Sequence, residues 1–145
     1  MQIDREKKKL YFIFILVISM SLLPIEGSIC FSDSTRYKAC YPLKVAHTPI
    51  DIQIGMMGAL EMDYALGFMV RPGTHSFWMK GCLISLDIVF CKDGKVHKIF
   101  HNCPPCLSAL DGECQRYVDT ADFVVELPGM TCLYDNIQVG DIFYI

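Results

Sequence analysis

Residues 83–100 read LISLDIVFCKDGKVHKIF. Two apolar runs rich in β-branched and aromatic residues are separated by Lys92-Asp93-Gly94-Lys95. Asp-Gly supplies the two positive-φ positions of a tight hairpin turn, so the stretch predicts two antiparallel strands. The first run is apolar at almost every position, which marks a central strand covered on both faces. Outward from this hairpin, residues 76–80 form an aromatic-rich strand, residues 121–127 form a strand with Phe123, Val125 and Leu127 on one face, and residues 142–145 form a last strand. Ile50, Ile52 and Ile54 alternate with Asp51 and Gln53 and predict a further strand. Residues 57–66 are the best helix candidate, and a helical turn fits residues 131–136. Residues 102–119 hold Pro104, Pro105, Gly112 and three Cys, and predict an irregular loop pinned by disulfides. About six short strands with one or two short helices give a mainly β fold, a compact small sandwich or barrel.

The chain has 145 residues, 52% of them hydrophobic and 20% charged, with eight Cys and a single Trp. That is one domain with a real core, not a disordered chain. Residues 1–9 are polar and net basic, and residues 10–23 run LYFIFILVISMSLL without a charge. This is the pattern of a secretory signal peptide over residues 1–28. The rival reading is an uncleaved membrane anchor, although the apolar run is shorter than the ~20 residues a spanning helix needs. The expected location is periplasmic or secreted, with membrane contact only through the leader. Residues 29–43 read as a polar lead-in and residues 44–145 as a single domain. Beyond residue 28, nine Lys and Arg face thirteen Asp and Glu, so nucleic acid is not an expected partner.

All eight Cys, at 30, 40, 82, 91, 103, 106, 114 and 132, lie beyond the leader. An even count in an exported domain reads as disulfides, with 105 pairings open to eight Cys. A competing reading takes His97, His101, Cys103, Cys106 and Cys114 as ligands for zinc or copper, since His and Cys at such spacings suit a soft or borderline metal. Cys103-Pro-Pro-Cys106 also has the spacing of a redox pair, but no βαβ pattern surrounds it.

The order of several short patches resembles a known family, the domain of unknown function family 192, over residues 50–145. The patches are Gly55-Met56-Met57, Gly67-Phe68-Met69-Val70, Phe77-Trp78-Met79-Lys80, Leu86-Asp87-Ile88-Val89-Phe90, Asp93-Gly94, Pro105-Cys106, Cys114, Tyr117, Glu126-Leu127 and Gly140-Asp141. The resemblance implies a compact, mainly β fold and no particular reaction. The chain departs from the family pattern at Ala59, where an Arg is usual nearby, and at Gly81-Cys82, where Asn-Thr is usual. The additional Cys82, Cys91 and Cys132 are expected in bridges.

For a binding surface the sequence offers Trp78, Lys80, Asp87 and Tyr117, with His75 nearby. Strand alternation turns Trp78 and Lys80 to the face opposite Phe77 and Met79. A Trp beside a Lys suits a ligand with a flat apolar surface and an anion, such as a sugar-based envelope polymer. The bland alternative is a packed Trp78 and a Lys80–Asp87 ion pair. No nucleophile elbow, phosphate-binding loop or His-Glu-x-x-His motif is present. A hydrolytic carboxylate pair of Asp87 and Glu126 is the remaining catalytic option. The sequence therefore reads as an envelope accessory or binding module with no cofactor, whose partner is an unspecified envelope ligand or protein.

Overall fold

The computed structural model describes residues 23–145, so most of the predicted leader lies outside the described residues. Seven strands close into a barrel in the order β1-β2-β3-β6-β4-β5-β7, with β7 pairing back onto β1. They are β1 (Ser28–Ser32), β2 (Tyr37–Ala46), β3 (Ala65–Trp78), β4 (Leu86–Lys92), β5 (Lys95–Cys103), β6 (Arg116–Pro128) and β7 (Ile142–Tyr144). Two short helices, α1 (Pro49–Ile54) and α2 (Thr131–Tyr134), join them. The mainly β barrel expected from the sequence is the observed fold.

The β4–β5 hairpin turns at Asp93 (φ 52°) and Gly94 (φ 75°), the two left-handed positions the Asp-Gly pair accommodates. All pairings between these strands are antiparallel except β2–β3, where Leu43 to Ala46 run parallel to Ala65 to Phe68. A parallel pair needs a crossover rather than a tight turn. Residues 47–64 supply it, and they carry α1.

Three expectations change. Residues 50–54, predicted as a strand, form α1. Thr48 caps it, its hydroxyl accepting from the Asp51 backbone while the Asp51 carboxylate accepts from the Thr48 backbone. This capping box, followed by Pro at the first helical position, outweighs the local alternation. Residues 57–66, predicted as a helix, are turns and irregular chain running into β3. Residues 29–43, read as a lead-in, provide β1 and most of β2, so the barrel begins at Ser28.

The structure has two cores. Ile29, Phe31, Leu43, Val45, Val89 and Val125 are among the residues that fill the barrel interior. A second cluster covers the outer face of β3, β6 and β4, with Leu66, Phe68, Ile88, Phe90 and Val124 beneath Met56, Met79 and Tyr117. Phe77 belongs to this cover. Its ring lies 5.1 Å from that of Phe68, nine residues earlier on the same strand. A straight strand would separate them by about 30 Å. The register shift between Met69 and Gly73 is where β3 bends and folds its far half back over the sheet.

Candidate functional site

That fold-back creates a cavity of about 290 Å³ between α1, the far half of β3 and the outer sheet face. Its apolar walls include Ile52, Met56, Met57, Val70 and Phe77. The polar lining comprises Gln53, His75, Ser76, Trp78, Lys80, Cys82, Arg116 and Glu126.

Trp78 pairs with Arg116 across β3 and β6. The Arg116 guanidinium sits 3.8 Å from the Trp78 ring centroid, and Lys80 Nζ sits at 5.1 Å, two cation–π contacts on one indole. Lys80 forms an ion pair with Asp111, not with Asp87. Asp111 stands on a single 3-10 turn, Asp111–Glu113, inside the loop closed by the Cys106–Cys114 disulfide. The same loop is tied to the chain after Trp78. The Gly81 N–H donates to Cys106 O (2.9 Å), and the Cys106 N–H donates to Met79 O (3.1 Å). The disulfide thus braces the segment that presents Lys80.

Glu126 forms the floor. It is 3% exposed, and its Oε2 has no hydrogen-bond partner among the described residues. Burial pushes its carboxyl up to about 8. Gly55, at the C-terminal end of α1 with φ 49°, passes directly over it. A Cβ built at that glycine would stand 3.7 Å from Oε2, so its absence leaves the approach to the carboxyl open. Cys82 lines the same space, its thiol pushed up to about 12 by burial first and by Glu126 second.

Of the four residues expected to form a binding surface, the structure unites Trp78 and Lys80 only. Asp87 is fully buried, facing the barrel interior, where it accepts from the backbone N–H groups of Asn102 (2.7 Å) and Met130 (3.0 Å) at Oδ1 and of Cys132 (2.7 Å) at Oδ2. It ties β4 to the end of β5 and the start of α2, a structural role. Tyr117 is buried in the outer core, its ring 5.3 Å from that of Phe100. Asp87 and Glu126 face opposite sides of the sheet, because Asp87 pairs with Leu127 and Ile88 with Glu126. They form no hydrolytic pair.

The five residues considered for metal binding are dispersed. His97 lies beside Asp119 (3.2 Å) and Thr120 (3.3 Å), and His101 is exposed over a different groove with Leu133 and Asn136. Cys103 is a buried thiol, and Cys106 is bonded to Cys114. No group of three or more His, Cys, Asp or Glu among the described residues is placed to hold a metal. Cys103 and Cys106 are not a redox pair, since Cys106 has another partner. Of the expected bridges, Cys30–Cys40 and Cys106–Cys114 form, while Cys82, Cys91, Cys103 and Cys132 stay as buried thiols.

Arg116 escaped the sequence reading, and Glu126 entered it as half of a hydrolytic pair and within a family patch, not as a binding residue. The signal for Glu126 was present. Phe123 to Leu127 is a run in which every residue is buried, and an acid inside such a run demands a partner. Arg116 had no comparable signal, because its place opposite Trp78 depends on strand register.

The family model of DUF192, described as "Uncharacterized ACR", matches residues 31–145. The chain belongs to the DUF192 family. This DUF192 chain is similar in structure to a protein of unknown function from Novosphingobium aromaticivorans DSM 12444, with TM-score 0.71 and 21% identity over 81% of this chain and 84% of that one. It is equally similar to a candidate transcription regulator from Sinorhizobium meliloti 1021, with TM-score 0.71 and 21% identity over 81% and 91% of the two chains. At that identity the likeness speaks for the DUF192 fold alone. The chain has no sequence match among curated proteins. No helix among the described residues is long and apolar enough to cross a membrane.

Proposed function

We propose that this DUF192 chain is an exported binding module of the cell envelope, periplasmic or secreted, whose site is the cavity on the outer sheet face. Its ligand is a small acidic molecule with one ring, such as a sugar acid. The observation that carries this reading is the Trp78 indole flanked by Arg116 at 3.8 Å and Lys80 at 5.1 Å at the mouth of the 290 Å³ cavity. Arg116, held against an aromatic ring, forms a preorganised anion receptor beside Lys80, which shares its charge with Asp111, and Arg presents a rigid fork suited to a carboxylate. The volume sits at the small end of small-molecule sites, so it suits a single ring rather than a long polymer. Two disulfides support an oxidising compartment, consistent with the basic and then apolar leader.

Trp78 is the only Trp, so its fluorescence reports the site without a label. Titration of the full chain with muramic acid and glucuronic acid should give a saturable change in emission, and glucose should give none. Arg116→Ala should weaken binding of both acids about tenfold, the scale of a lost charge-assisted contact. The absence of a saturable response to either acid would remove this reading.

A further inference from the structure

The cavity has an anion-binding mouth, yet its floor is a carboxyl. Glu126 is 3% exposed, lines the cavity, and leaves Oε2 unpartnered among the described residues. Burying a polar group without a hydrogen bond is unfavourable, and far more so if the group is charged. No described residue donates a hydrogen bond to that oxygen. Ile54, Met56, Phe68 and Phe77 are apolar, and Gly55 contributes no side chain. The charged and titratable groups around the carboxyl come from several elements. Lys80, Arg116 and His75 line the same cavity nearer its mouth, and Cys82 and Tyr64 adjoin Glu126 from the chain packed over the sheet. Lys44, in the same cross-strand row, places its Nζ 4.0 Å from the centre of the Tyr64 ring. Lys80 is engaged with Asp111, and Arg116 is stacked on Trp78.

We infer that Glu126 is a ligand-binding residue that takes a primary ammonium group, making the cavity a receptor for a small zwitterion whose anion meets Arg116 and Lys80 and whose amine reaches the floor. An amino-sugar acid has this chemistry. The inference rests on the binding role proposed above and adds the second pole of the ligand. A cation complements the unpartnered oxygen, because an ammonium donates up to three hydrogen bonds and neutralises the carboxylate it meets. Binding then removes the proton from Glu126. The neutral acid becomes a carboxylate paired with the ammonium, and the proton leaves to solvent. The raised carboxyl, at about 8, fits this exchange at neutral pH.

Three probes separate the poles on one scaffold. Muramic acid carries both anion and amine, N-acetylmuramic acid only the anion, and glucosamine only the amine. Trp78 fluorescence of the full chain should show muramic acid binding at least tenfold more tightly than N-acetylmuramic acid, and Glu126→Gln should erase the difference. Calorimetry of the unmodified chain at pH 7, in two buffers of different ionisation enthalpy, should show net proton release with muramic acid and none with N-acetylmuramic acid. That readout does not depend on the variant folding. Equal affinity for the two acids, or no proton release, overturns the inference while leaving the acidic-ligand reading in place. Glu126-dependent binding of glucosamine, without binding of either acid, keeps Glu126 as an ammonium site but overturns the zwitterion receptor and removes the anion reading. No response to any probe overturns both.

Discussion

Of the three acids buried among the described residues, Asp87 and Glu126 have contrasting surroundings. Asp87 accepts three backbone N–H groups, so both of its oxygens have hydrogen-bond partners. Glu126 has nothing comparable, and burial raises it from its ordinary 4.5 to about 8. Between those two values the folded protein holds a proton that the unfolded chain has lost. Stability therefore falls as pH rises through that window, by at most about 1.4 kcal/mol per unit from this group. Urea unfolding of the unliganded chain at pH 5 and pH 8 should show the loss, and Glu126→Gln should flatten it. An unchanged slope in the variant would assign the pH dependence to other groups. Both acids were visible in the sequence as charges within apolar runs. What was not visible was which would be satisfied, because the donors to Asp87 come from residues 15 to 45 positions away in the chain.

At the scale of elements, the hairpin and the central strands were legible because burial on both faces and a two-residue turn leave local marks. The first half of the chain was harder. Ile50, Ile52 and Ile54 alternate like a strand, and only Ile54 of the three is buried. Their fate was decided at Thr48, whose capping box starts α1. Thr48→Ala should lower stability by about 1 kcal/mol, the usual value of a cap, and a urea midpoint reduced at constant slope would register it. The same substitution should weaken muramic acid binding, since α1 carries Ile52 and Gln53 into the cavity wall. The bend of β3 was also hidden. It follows from a register shift, and without it Trp78 and Arg116 would have no cavity to face.

At the scale of the whole molecule, the cysteines divide between surface staples and core filling. Cys30–Cys40 joins paired positions of β1 and β2, and Cys106–Cys114 closes the loop beside the site. The other four are packed among apolar residues as small hydrophobes. Burial raises Cys103 to about 11 and Cys82 to about 12, and raises Cys91 and Cys132 as well, so the reactive thiolate is scarce at neutral pH. The folded protein should therefore resist iodoacetamide at pH 8, and denaturant alone should add four labels by mass. No label in denaturant would mean that these four Cys are bridged. An even count of Cys could not reveal this division, because pairing depends on which strands become neighbours.

The pairing of β1 with β7 sets a condition on how the chain matures. Cys30 lies opposite Tyr144 and Phe31 opposite Phe143, so the first strand of the barrel finds one of its two neighbours only when the last has been made. The chain emerges N-terminus first, whether from the ribosome or across a membrane, so that edge of β1 stays open until β7 follows. Throughout that interval the interior side chains of β1, Ile29 and Phe31, lack part of their final cover. An unclosed barrel with an open strand edge is the form that holdase chaperones recognise and that self-association exploits. Its vulnerability is thus greatest before closure rather than in the finished fold.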